Sequence, residues 1–154
     1  MTDWSKEPRL PTVFERLGGA DVEVHPVPSG DSRELHTFLN PNRDRPYEIE
    51  ITTDELTSLC PATGHPDFCT LTVRYLPGLR CVEMKSLKLY IESFRNEGHF
   101  YEQLIYLIYR DLWEALDPAK LWVQGEFHVR GGMPAKVTIN SWKPEEGEYN
   151  GQWE

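Results

Sequence analysis

Hydrophobic and polar positions are patterned along most of the chain, and the period changes partway. Tyr47, Ile49 and Ile51 alternate with Glu48, Glu50 and Thr52, as in a strand with one buried face. From Asp54 to Pro66 the alternation breaks and Pro61, Gly64 and Pro66 appear, so a loop is expected there. Phe68 to Leu76 alternates again, with Cys69, Leu71, Val73 and Tyr75 on one face. Pro77-Gly78 predicts a turn, and Leu79 to Met84 a third strand folded back antiparallel on the second. The spacing then becomes helical. Leu87, Tyr90, Ile91 and Phe94 share a face, with Ser86 as the expected N-cap and Asn96-Glu97-Gly98 as the stop. Tyr101, Leu104, Ile105, Ile108, Leu112 and Leu116 form a second stripe, closed by Asp117-Pro118. Leu121 to Val129 predicts a strand, Arg130-Gly131-Gly132 a turn, and Ala135 to Trp142 the last strand.

Strands, then two helices, then strands give an α+β class, with an antiparallel sheet and both helices on one face. Residues 1–45, rich in Pro, Gly, Asn and Asp, read as an irregular N-terminal arm. Residues 46–154 read as a single domain ending in a polar, acidic tail. Two helices cover only one side of such a sheet and leave its edges open, which predicts an oligomer.

The whole chain of 154 residues suits one domain. Its 16 Lys and Arg against 25 Asp and Glu give a net charge of −9. That excess of negative charge argues against nucleic acid or an anionic membrane as partner. No apolar run approaches the ~20 residues that span a bilayer. The first ten residues lack a signal-peptide core, so a cytoplasmic protein is expected. Three cysteines, an odd number, argue against a disulfide framework, and their spacing fits no zinc pattern. No metal is expected.

Four clusters carry candidate chemistry. Cys60 sits in a Pro/Gly-rich stretch, and a thiolate there is a strong nucleophile, although a single cysteine is more often inert packing. Asp67, seven residues on, is either a general acid returning to the same place or a turn cap. Lys85, Ser86 and Lys88 lie at a helix start that suits phosphate groups, or form a solvated face. Arg95, Glu102 and His99 flank the second helix start. Glu102 is either a binder of ring N–H groups or a helix-dipole carboxylate, and His99 reads as a surface residue. Arg130 and Gly131 offer a bidentate donor and close backbone approach, or a plain hairpin turn.

Taken together, these clusters resemble the NADPH-dependent 7-cyano-7-deazaguanine reductases. The resemblance runs from about Glu48 to Trp142. It is carried by Leu56-Thr57-Ser58-Leu59-Cys60-Pro61, Gly64-His65-Pro66-Asp67, Glu83-Met84-Lys85-Ser86-Leu87-Lys88-Leu89-Tyr90, Ser93-Phe94-Arg95-Asn96 and Arg130-Gly131-Gly132. It implies a tunnelling fold, a four-stranded antiparallel sheet with two helices that assembles into an oligomeric barrel. It also implies a homo-oligomer, a pentamer or decamer, with sites between subunits. The implied substrate is a small deazapurine nitrile. Cys60 would form a thioimidate and Asp67 would supply the proton, with two NADPH used per turnover. Val82, Glu83, Met84, Tyr101 and Glu102 would line the substrate pocket. Lys85, Ser86, Lys88, Arg95, Arg130 and Gly131 would hold the cofactor phosphates. Members of the family often have a histidine at the place of Tyr101, and a phenol donates a hydrogen bond without switching charge near neutral pH. Some carry a cysteine at the place of Leu104. An amidinotransferase of the same fold, or a non-catalytic pterin- or purine-binding protein, is the alternative.

Overall fold

A computed structural model describes residues 33–141. The acidic tail, Trp142 and most of the expected arm lie outside them. The main sheet has four strands in the order β2 (Ile49–Leu59), β3 (Pro66–Leu76), β5 (Lys120–Arg130) and β6 (Met133–Asn140), each antiparallel to its neighbours. A separate two-stranded ribbon pairs β1 (Thr37–Leu39) with β4 (Arg80–Val82). Between β4 and β5 come α1 (Met84–Glu92) and α2 (Tyr101–Leu116). The expected α+β class with four antiparallel strands and two helices is therefore found. Among the described residues no helix is long and apolar enough to cross a membrane.

The strand from Leu79 corrects an expectation. It does not fold back on β3, because β2 and β5 occupy both edges of β3. It pairs instead with Thr37–Leu39, which lies inside the stretch expected to be irregular. Buried Asn40 fastens this ribbon. Its N–H donates to Leu79 O at 2.9 Å, its amide to Gly78 O at 2.9 Å, and its Oδ1 accepts from the Tyr47 hydroxyl at 2.6 Å.

A second correction concerns Asp54 to Pro66. The strand continues through Leu59, and only residues 60–65 form the connecting loop. The register of β2 on β3 shifts between Thr53 and Leu56, where β2 holds one extra residue. Asp54 and Glu55 both face out, and the inward set changes from odd to even numbers. Leu56 and Ser58 point into the core as a result.

The core face of the sheet is Cys69, Leu71, Val73 and Tyr75 on β3, beside Leu121, Val123 and Phe127 on β5. On α2, Leu104, Ile105, Ile108, Leu112 and Leu116 are buried against it, each contributing about 1.5–3 kcal/mol. Gly125 permits that approach, since a Cβ there would lie 2.4 Å from Ile105 Cδ1. The opposite face is polar. Arg74 bridges Glu48 at 3.0 Å and Glu50 at 3.3 Å, and Gln124 donates to Thr138 at 3.0 Å.

Helix α1 is capped by Glu83 rather than Ser86. The Glu83 carboxylate accepts from Lys85 N–H at 2.8 Å and Ser86 N–H at 2.7 Å, and these bonds lower its pKa. Ser86 is buried, and its hydroxyl accepts from His36 N–H at 3.0 Å. The helix ends at Glu92, so Phe94 packs from the turn beyond it, ring edge to Tyr90 at 5.2 Å.

Candidate active site

Parity decides where the β2–β3 hairpin ends. The bulge in β2 puts Ser58 inward, opposite Asp67 in the register. Cys60 continues that parity just past the strand end. Asp67 shares its face with Cys69, Leu71 and Val73, so the pleat carries it inward to 4% exposure.

The loop closes on itself through Cys60 N–H to His65 O and Gly64 N–H to Cys60 O, both 2.8 Å, with Gly64 at φ 70. This geometry folds loop donors around the sulfur. The Cys60 thiol takes hydrogen bonds from the Thr63 hydroxyl and the N–H groups of Thr63 and Ala62. Burial pushes the thiol up, and the charge of Asp67 pushes the same way. The three donors outweigh both, and the pKa lies below the ordinary cysteine value. Cys60 is half-buried, so it is both activated and reachable. By contrast, burial pushes Cys69 up to about 12.

Two further groups converge on Asp67. The Tyr101 hydroxyl donates to its Oδ1 at 3.2 Å, and the Arg130 Nε lies 3.0 Å from the same oxygen. Arg130 also donates to Pro66 O at 2.8 Å. Its position again follows from a bulge. The β5–β6 register shifts between Phe127 and Arg130, and Gly131 and Gly132 turn the chain at φ 56 and 73. One extra residue on β5 moves Arg130 to the inward side. Tyr101 is the first residue of α2, and its ring stacks on Phe127 with centroids 3.7 Å apart. Burial, then the charge of Asp67 and the bond to it, raise the phenol pKa, so it remains a donor near neutral pH.

The structure thus gathers Cys60, Asp67, Tyr101 and Arg130, with Glu102 exposed one residue along α2. Val82, Glu83, Met84, Lys85, Ser86, Lys88 and Arg95 form a second group at β4 and α1. Val82 packs in the core, and Met84 is exposed. No hydrogen bond or ion pair among the described residues joins the two groups. The sequence reading missed Thr63 as a thiol donor, although a hydroxyl three residues after a cysteine in a Pro/Gly loop is a usable signal. It placed His99 on the surface, whereas its imidazole is 2% exposed.

A profile of the QueF-like protein family matches residues 66–146. The NADPH-dependent 7-cyano-7-deazaguanine reductase of Thermomicrobium roseum is 47% identical over 121 residues, covering 79% of this chain and 94% of that protein. The protein of the same name from Anaeromyxobacter sp. (strain K) is 52% identical over 112 residues, covering 73% and 92%. The crystal structure of the archaeosine synthase QueF-Like in the apo form superposes with a TM-score of 0.55 at 19% identity. It covers 62% of this chain and 92% of that one, a likeness of fold. The chain belongs to the QueF-like protein family.

Proposed function

We propose that this protein is an NADPH-dependent 7-cyano-7-deazaguanine reductase that converts the nitrile to an aminomethyl group through a thioimidate on Cys60. The observation that carries this reading is an activated, reachable thiol beside a buried carboxylate. Its context supports it, since the chain is 47% identical to a protein of that name.

The Cys60 thiolate adds to the nitrile carbon, forming a carbon–sulfur bond as one π bond of the nitrile breaks. Asp67 takes the thiol proton and passes it to the nitrile nitrogen. Tyr101 and Arg130 both hold Oδ1, so Oδ2 is the oxygen that handles this proton. When bound, NADPH would supply the hydride added to the former nitrile carbon in each of two rounds, with a proton joining each time. The Cys60 sulfur leaves between the two additions and is ready for the next substrate.

Glu83 and Glu102 are assigned to the N–H groups of the base, with Val82, Met84 and Tyr101 around its ring. The cofactor phosphates fall to Lys85, Lys88 and Arg95, with Ser86, Arg130 and Gly131 beside them. Lys85, Lys88 and Arg95 fit such a group. Lys85 and Lys88 are exposed one helical turn apart, and neither they nor Arg95 makes an ion pair among the described residues. That no hydrogen bond or ion pair among the described residues joins the two groups favours a site completed by a neighbour, in a pentamer or decamer. β2 and β6, the edge strands of the main sheet among the described residues, suit that assembly.

The test is NADPH oxidation followed at about 340 nm, where the nicotinamide absorbs. Consumption that requires the nitrile, at two NADPH per nitrile, supports the reading. No nitrile-dependent consumption overturns it.

A further inference from the structure

Behind the loop that carries Cys60 lies a buried ionic cluster that the proposed reaction does not use. Glu97 and His99 are 5% and 2% exposed, and His99 Nε2 lies 2.8 Å from Glu97 Oε2. Arg33 pairs with the other oxygen of Glu97. The guanidinium covers the Phe94 ring at 4.0 Å and donates to Ser93 Oγ at 2.9 Å. Buried charges of this kind are costly unless held together, so the cluster fixes the turn between α1 and α2.

That turn grips the strand end before the nucleophile. Leu59 N–H donates to Glu97 O at 2.8 Å, and His99 N–H donates to Leu59 O at 3.1 Å. Gly98 between them forms a parallel bridge with Leu59, and a Cβ on it would lie 3.7 Å from Pro61 Cα. Leu59, directly before Cys60, is therefore held by one three-residue segment that also passes close to Pro61.

We propose that the Arg33–Glu97–His99 cluster positions the Cys60 thiol, holding the end of β2 so that the donors of residues 62 and 63 stay aimed at the sulfur. This rests on Cys60 as the nucleophile. The charged or titratable groups facing the sulfur itself are Asp67 and Tyr101, with Arg130 on Asp67, and none belongs to the cluster.

The test is iodoacetamide alkylation of the full chain across pH, which needs neither nitrile nor NADPH. Cys69 and Cys81 are buried, so the reaction reads Cys60. In Glu97→Gln the alkylation midpoint should rise by about one pH unit, with turnover at neutral pH falling about tenfold and KM for the nitrile changing less than twofold. Tyr90→Phe, which removes a part-buried 2.7 Å bond to Asp111, is the control for general loosening and should leave the midpoint in place. If Glu97→Gln does not fold, His99→Gln carries the same expectation. A lowered melting temperature with an unmoved midpoint in the folded variant overturns the proposal. So does an equal shift in Tyr90→Phe. If wild-type protein alkylates as expected but consumes no NADPH with the nitrile, the proposed function fails and the positioning role stands.

Discussion

A thiol at neutral pH is mostly protonated; burial pushes the Cys60 thiol further that way, and donors from its own loop bring its pKa back below the ordinary cysteine value. Thr63→Val removes one of them without changing side-chain volume much. One hydrogen bond contributes about 0.5–1.5 kcal/mol, so alkylation of Cys60 at neutral pH should slow by about two- to twelvefold. Asp67→Asn keeps the shape and removes the proton carrier. Turnover should fall by about 10²–10⁴, with nitrile affinity within a few-fold, as read by single-turnover kinetics and equilibrium binding. Equal losses in both would count against a role in proton transfer. Tyr101→Phe keeps the stack on Phe127 and loses the 3.2 Å bond to Asp67. A drop in turnover of severalfold with an unchanged melting temperature is expected. Residue types and spacing alone left packing and turn-capping as the readier readings of Cys60 and Asp67, and the resemblance carried by the ordered motifs nominated them. Their proximity was not legible, because it depends on which way each strand residue faces. The arginine–aspartate pairing was hidden for the same reason.

The elements that the sequence marked most clearly are those with an unbroken period. The α2 stripe and the alternation of β3 fall where expected because one buried face sets every third or fourth, or every second, position. The end of β2 was read as a loop because a bulge resets the alternation, so a window spanning Thr53 to Leu56 matches neither phase. The partner of β4 was equally illegible. A Pro-Gly turn states that the chain reverses but not which edges are already taken. Gly125 was passed over in the sequence, although a glycine inside an alternating strand signals close approach. Gly125→Ala should destabilise the fold by about 1–3 kcal/mol in urea unfolding, since its Cβ meets Ile105. Ile105→Ala in the same chain should show coupling by recovering part of that loss.

At the scale of the molecule, two helices seal one face of the sheet and the other remains polar, with Arg74, Gln124 and the threonines of β2 and β3. A polar face, with β2 and β6 as the edge strands of the main sheet among the described residues, is compatible with sheets joined edge to edge around water, and much less with burial of that face against another apolar layer. Native mass measurement should accordingly give a ring of subunits, with the 17.9 kDa single chain as the minor species. The two separated groups of site residues would then meet across a subunit boundary. The central claim, however, concerns one sulfur, and intact-protein mass after incubation with 7-cyano-7-deazaguanine alone tests it most directly. The wild-type chain should gain the full mass of the nitrile and Cys60→Ala should gain none. An adduct that survives in Cys60→Ala, or none on a wild-type protein that turns over, would contradict it.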